Sequence, residues 1–328
     1  MADITLVNLN MLLIRYVDAL ERELHVPLGP LYLCAALERA GFDVDFRDYQ
    51  TCDASEPFLP ESLADFCADP APVIGLSCMA NLLPFTILAA RELKRRWPEK
   101  TIVLGGVGPK AVERRILERF PWIDAVAHGE GERSIVDLVR AARAGTGFSR
   151  VPGLAYRDGD RVVLNAAAPR IEDLAALGWP ALHRLDYARY AGHNVITSRG
   201  CPYLCSFCSV APIWGHTPHF RDPADIVAEM AYLFREHGVK LFLFQDEFFV
   251  ASRDRVFAFC DALSAAHLDG VRWKAFARVN LADDDVMRRM AETGCIEIRF
   301  GIESGSNRIL KRVRKGFSIE QANDVVAR

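Results

Sequence analysis

No stretch of this chain approaches the roughly 20 consecutive apolar residues that a bilayer-spanning helix needs. The amino terminus, MADITLVNLNMLLIRYVDALERE, lacks a basic leader segment. It carries Asp3 early, and Arg15 and Asp18 interrupt its apolar run, so it does not read as a secretory signal. Neither sign of charge is in large excess: a net charge of −3 argues against nucleic acid as a partner, and nothing points to a membrane. There is no repeat at solenoid spacing and no low-complexity tract. No G-x-G-x-x-G follows the first apolar run, which removes the simplest dinucleotide-binding reading. Nine cysteines without a secretory signal, and an odd number of them, do not make a disulfide framework. They read as thiols in a reducing compartment, open to a metal, and the expected location is cytoplasmic.

What is present is an ordinary globular composition, 51% hydrophobic and 25% charged, in 328 residues. That length exceeds what one hydrophobic core usually serves, so two domains are expected. In the first 147 residues short apolar runs alternate with amphipathic segments. DITLVNLN, FDVDFRDY, PVIGLSC, TIVLGG and IDAVA read as strands, with FDVDFRDY an edge because it alternates apolar and polar. Helices are expected through Leu31, Cys34, Ala35 and Leu37, through Phe85, Leu88, Ala89 and Leu93, over 109–119, and from Ser134. This alternation predicts an α/β fold with a doubly wound parallel sheet, whose ligands bind beyond the carboxyl ends of the strands. Those ends carry Asn8, Ser77, Gly105-Gly106 and His128-Gly129-Glu130. Residues 148–190 read as a connector containing a small hairpin with Asp158-Gly159 as its turn.

The stretch SRGCPYLCSFCS places Cys201, Cys205 and Cys208 in one loop with C-x3-C-x2-C spacing, directly after the strand NVITSR. Thiolates are soft ligands, and two chemistries fit three of them. Structural zinc wants four closed ligands and has to recruit His216 or His219. A [4Fe–4S] cluster held at three irons leaves the fourth iron open to a substrate's amino and carboxylate groups. From 191 to the end, four strands alternate with helices, in a βα pattern that puts polar residues at strand ends. Four strands make a partial barrel. The run RILKRVRKG, with Arg308, Lys311, Arg312, Arg314 and Lys315, reads as a solvated basic face. Tyr203, Trp214, His216 and His219 are candidates for a cavity wall just past the cysteines.

Two resemblances sharpen this reading. PLGPLYLCAAL, VIGLSC, P-x-x-TIVLGG and IDAVAHGEGE together resemble the cobalamin-binding, Rossmann-like domain that precedes some radical S-adenosylmethionine (SAM) enzymes. The cysteine spacing with Phe207 before the last cysteine resembles the radical SAM signature. The chain thus resembles cobalamin-dependent radical SAM enzymes over nearly its whole length. The resemblance implies a [4Fe–4S] cluster on Cys201, Cys205 and Cys208, with SAM contacted by Phe207, Gln245, Asp246, Glu247, Arg278 and Glu303. It implies corrin contacts from Asn8, Ser77, Gly105, Gly106, Gly129 and Glu130. The D-x-H-x-x-G histidine that ligates cobalt in mutases is absent, and Gly108 stands where many relatives have a histidine after Gly-Gly. The implied activity is reductive cleavage of SAM to a 5′-deoxyadenosyl radical and C-methylation of an unactivated carbon on a small-molecule or natural-product substrate. An electron donor such as flavodoxin or ferredoxin is the implied partner. Oxidative cyclisation or rearrangement, a methylthiotransferase with a second cluster on first-domain cysteines, and a non-catalytic cobalamin-binding module are the alternatives.

Overall fold

The computed structural model describes residues 2–15, 20–246 and 248–328, with 12–15 and 20–22 by their backbone alone. The chain divides into two compact units: Met1–Ile171 with Leu177–Leu185, and Glu172–Ala176 with Asp186–Arg328.

In the first unit, β1 (Ile4–Asn8) is buried along its whole length, as its sequence ITLVN demands of a central strand. A ribbon of β2 (Leu12–Arg15) and β3 (Leu20–Glu23) follows, then α1 (Leu28–Arg39) and β4 (Val44–Asp48). Next come α2 (Pro60–Phe66), β5 (Val73–Ser77), α3 (Leu83–Arg96), β6 (Thr101–Gly105), α4 (Glu113–Arg119), β7 (Ala125–Ala127) and α5 (Gly131–Ala144). The unit continues through β8 (Leu154–Asp158) and β9 (Arg161–Leu164). The sheet order is β4-β1-β5-β6-β7-β8-β9, parallel up to β7 and antiparallel beyond it. All five expected strands form, and β4 is the edge. Because β1 sits between β4 and β5, the chain winds one way and then the other. The crevice such a reversal creates lies at the carboxyl ends of β1 and β5. One apolar core fills each face of the sheet, around Leu63, Ile74 and Leu104 on one side and Ile4, Leu37 and Leu138 on the other.

Three local expectations are corrected. Leu88 is 44% exposed, and α3 instead buries Thr86, Ala89, Ala90 and Leu93. Thr86 tolerates this because its hydroxyl donates to Leu82 O at 2.9 Å. The hairpin turn is Gly159-Asp160, since Asp158 already pairs with Arg161. The first unit also runs well past residue 147. The hairpin covers the otherwise open edge of β7, and Ala181 N donates to Leu31 O at 3.1 Å, tying 177–185 back onto α1.

The second unit holds β10 (His193–Val195), the short ribbon β11 (Ser198–Arg199) and β12 (His219–Phe220), and α6 (Val210–Trp214) between them. Then α7 (Pro223–His237), β13 (Leu241–Phe244), α8 (Arg253–Ala265), β14 (Arg272–Ala277), α9 (Asp284–Glu292) and β15 (Cys295–Phe300) alternate. α10 (Asn307–Arg312) and α11 (Ile319–Ala327) complete it. The four strands β10-β13-β14-β15 are all parallel. Their core is aromatic: Phe244, Phe249, Phe259 and Trp273 pack with ring centroids 4.8–5.5 Å apart. The chain thus has the expected α/β architecture, a doubly wound sheet followed by a partial βα array.

Candidate active site

The cysteine loop is anchored before its first cysteine. Asp246, just beyond β13, is fully buried and accepts from Thr197 N (3.0 Å), Thr197 Oγ1 (2.6 Å) and Ser198 Oγ (2.8 Å). Burial pushes its pKa up, and the Thr197 and Ser198 hydrogen bonds oppose that. From the other side, Arg221 N (2.9 Å) and Arg255 Nη2 (3.0 Å) donate to Thr197 O, and Arg221 Nη1 donates to Ile196 O at 3.0 Å. Residues 196–198 are therefore held on both edges. Gly200 then turns the chain at φ +99°, where a Cβ would stand 2.9 Å from Thr217 O, so only glycine fits. The β11–β12 ribbon closes the base of the loop.

Cys201, Cys205 and Cys208 are free thiols, each half-buried. Cys208 N donates to Cys205 O at 3.1 Å, which curls the last two toward one side. Burial raises the Cys201 pKa; Arg278 opposes that, while Cys208 and Cys205 add to it. Among the described residues no three His, Cys, Asp or Glu side chains converge as a single ion requires. A cubane cluster offers each thiolate its own iron, so its ligands need no common point. Three partly open thiols on one loop fit such a cluster.

The surrounding residues come from three other segments. Arg278, at the end of β14, donates from Nη1 to Cys205 Sγ at 3.5 Å and from Nη2 to Lys315 O. Its guanidinium carbon lies 3.5 Å from the Tyr203 ring centroid. Lys315 is 7% exposed, not solvated as its basic run suggests. Its Nζ pairs with Glu303 Oε1 at 3.1 Å and sits 5.3 Å from the Phe207 ring centroid. Glu303 has φ +70° and Arg314 φ +58°, two left-handed non-glycine residues on the loops that make this contact. Ser206 N donates to Val313 O at 3.1 Å, joining the cysteine loop to that same turn. A cavity of about 530 Å³ opens beside Arg314, Gly316 and Phe317.

The structure therefore brings together Cys205, Phe207, Arg278 and Glu303. It adds Lys315, which the sequence placed on a solvated face, and sets Tyr203, one of the cavity-wall candidates, against Arg278. Gln245 is exposed at the end of β13, with Nε2 3.4 Å from Asn194 Oδ1. The Asp246 carboxylate faces the protein itself, and Glu247 lies outside the described residues. Trp214 lies over buried Arg199, 4.9 Å from its guanidinium carbon to the ring centroid.

At the carboxyl end of the first sheet the expected residues divide in two. The Asn8 side chain is buried and donates to Asp48 Oδ1 at 2.9 Å, and Glu130 accepts from Ile171 N at 2.6 Å. Both shape the sheet end from within. Ser77 is buried, and Gly106, at φ +84°, packs so closely that a Cβ would stand 2.6 Å from Cys78 O. Gly105 and Gly129 leave open space at their Cα atoms, bare backbone that a large flat ligand can approach. The cysteines of this unit are not gathered for a metal. Cys34, Cys52, Cys67 and Cys78 are buried among apolar side chains, and burial pushes the Cys34 and Cys67 thiols up to about 12.

Comparison with known proteins gives two family matches: the B12 binding domain over residues 18–139 and the Radical SAM superfamily over residues 195–328. The chain is 32% identical over 315 residues to the anaerobic magnesium-protoporphyrin IX monomethyl ester cyclase of Cereibacter sphaeroides, covering 92% of this chain and 50% of that protein. It is 30% identical to the cobalamin-dependent radical SAM methyltransferase TokK of Streptomyces tokunonensis, covering 77% of this chain and 38% of that one. The cobalamin-dependent SAM radical enzyme OxsB, solved with aqua-cobalamin and SAM bound, superposes with a TM-score of 0.78 at 20% identity, over 97% of this chain and 46% of its own. The chain spans about half the length of the first of these relatives.

Proposed function

This chain belongs to the cobalamin-dependent radical SAM family, and from that premise we propose that it works as an enzyme that cleaves SAM reductively and transfers a methyl group to an unactivated carbon of a small molecule. The observation that carries the proposal is the meeting of the three-cysteine loop, through Cys205 and Phe207, with Arg278, Lys315 and Glu303 in the second unit. When bound, the cluster supplies one electron that splits the sulfonium C–S bond of SAM into methionine and a 5′-deoxyadenosyl radical, and cobalamin supplies a carrier for the methyl group.

The chain's own residues then have distinct tasks. Cys201, Cys205 and Cys208 hold three irons and leave the fourth to the methionine moiety. Arg278 has five N–H groups, three of them engaged with Asn280, Cys205 and Lys315, which leaves two for the methionine carboxylate. Exposed Gln245 reaches the amino group. Glu303, steadied by Lys315, accepts from the ribose hydroxyls, and the Phe207 backbone lies against the adenine. On the first unit, Gly105 and Gly129 would present bare backbone to the corrin, with Asn8, Ser77, Gly106 and Glu130 fixing the loops that carry them. A low-potential donor of the flavodoxin or ferredoxin kind delivers the electron. Nine cysteines with no disulfide among the described residues suit the reducing cytoplasm.

Oxidative cyclisation is the second reading, favoured by 32% identity to a protein named as a cyclase. The apolar burial of Cys34, Cys52, Cys67 and Cys78 disfavours a methylthiotransferase with a second cluster. The test is mass spectrometry of the anaerobically reconstituted chain given dithionite, hydroxocobalamin and SAM labelled as CD3. Formation of 5′-deoxyadenosine that depends on Cys201, Cys205 and Cys208 supports the radical step. Label in a product supports methylation, and an unlabelled product two hydrogens lighter supports cyclisation. Absence of 5′-deoxyadenosine overturns both.

A further inference from the structure

The contact between Arg278 Nη1 and Cys205 Sγ, at 3.5 Å, reaches a sulfur rather than a substrate position. The guanidinium plane rests on the Tyr203 ring at 3.5 Å, Nη2 donates to Lys315 O, and Nε lies 3.4 Å from Asn280 Oδ1. These protein contacts orient the cation toward the thiol.

Resting on the reading of the three cysteines as cluster ligands, we propose that Arg278 is a positioning residue for redox tuning: its N–H···S bond and fixed positive charge raise the reduction potential of the cluster bound through Cys205. Reduction adds one electron, taking a [4Fe–4S] centre from the 2+ to the 1+ state with no bond made or broken and no proton moved. The added negative charge falls partly on the cysteine sulfurs. A donor aimed at one of them stabilises the reduced state more than the oxidised one. A guanidinium stays charged at every working pH, so the effect is built in and does not titrate. Two unengaged N–H groups remain for a carboxylate, so tuning and cosubstrate binding share the residue without competing for one donor.

The experiment compares wild type, Arg278→Lys and Arg278→Met, each reconstituted anaerobically with iron and sulfide and assayed for bound iron. Each is then titrated with dithionite under EPR observation in the absence of SAM. Expected are equal iron contents and a midpoint potential that moves negative in Arg278→Met, with a smaller shift in Arg278→Lys, which keeps the charge but not the fork. Full iron content with the wild-type midpoint in Arg278→Met overturns the proposal. Should Arg278→Met lose its iron, Arg278→Lys decides: a negative shift supports the tuning role and an unchanged midpoint overturns it. A wild-type chain that binds no cluster overturns instead the cluster reading on which the proposal rests.

Discussion

Asp246 gives the sharpest test of how the fold positions the cysteine loop. Its carboxylate is buried and accepts three hydrogen bonds, from one backbone N–H and two hydroxyls on residues 197 and 198. Asp246→Ala leaves the Thr197 N–H unpaired in the interior and removes two short bonds from hydroxyls. At roughly 1 kcal/mol for each donor left behind, the local cost is about 3 kcal/mol. Asp246→Asn keeps an oxygen for Thr197 N, and its amide can donate to hydroxyls that rotate to accept, so its cost is about 1 kcal/mol. With about 1.4 kcal/mol per decade, Asp246→Ala should raise the local opening constant about 100-fold and Asp246→Asn by less than about 10-fold. Hydrogen exchange of the peptide covering 195–208 reads this directly. The alanine variant should also bind iron poorly, with the three cysteines untouched. Exchange in Asp246→Ala within threefold of wild type, or equal effects of the two variants, would refute the anchoring role.

Further outcomes follow from other parts of the chain. The Arg95 and Arg96 hydrogen bonds hold the Glu92 carboxyl down at about 2, from an ordinary 4.5. A folded pKa below the unfolded one gives stability that is present above pH 4.5 and lost as pH falls toward 2. Because Arg95 is largely exposed, the contribution is about 1 kcal/mol, so Glu92→Gln should be less stable than wild type at pH 6 and nearly equal to it at pH 2.5 in urea unfolding. Gly106→Ala combines a left-handed φ with a Cβ pressed on Cys78 O. It should cost about 2 kcal/mol and weaken hydroxocobalamin retention, measured by corrin absorbance after desalting; normal retention would show that this loop does not form the corrin surface. Alanine at Cys201, Cys205 and Cys208 together should remove all bound iron, whereas residual cluster absorbance would locate a second site among the other cysteines.

The architecture was legible because its signals are periodic and local. Five strands of the first sheet announce themselves as apolar runs ending in polar or glycine residues, and the edge position of β4 follows from its alternation. The cysteine loop stood out by its spacing, and the resemblance to the radical SAM signature pointed it toward a cluster. What escaped reading depends on contacts across the chain. Lys315 belongs to a basic run that looks solvated, yet its turn folds back on the cysteine loop and buries it against Phe207 and Glu303. Asp246 sits in a polar trio after β13, where the sequence gives each residue an equal claim to a ligand; only the fold turns its side chain toward Thr197. Asn8 and Glu130 likewise stand at strand ends, but their partners Asp48 and Ile171 lie about 40 residues away in sequence. Strand-end position predicts proximity to a site and leaves side-chain direction open.

The central claim is that Cys201, Cys205 and Cys208 hold a cluster with one iron left for SAM. Mössbauer spectroscopy of the chain reconstituted with 57Fe, recorded before and after SAM is added, addresses it most directly. Expected is a four-iron cluster in which a single iron changes its isomer shift and quadrupole splitting when SAM binds, while three keep their thiolate signature. A chain that takes up zinc in place of iron, or a cluster whose irons are all indifferent to SAM, would contradict it.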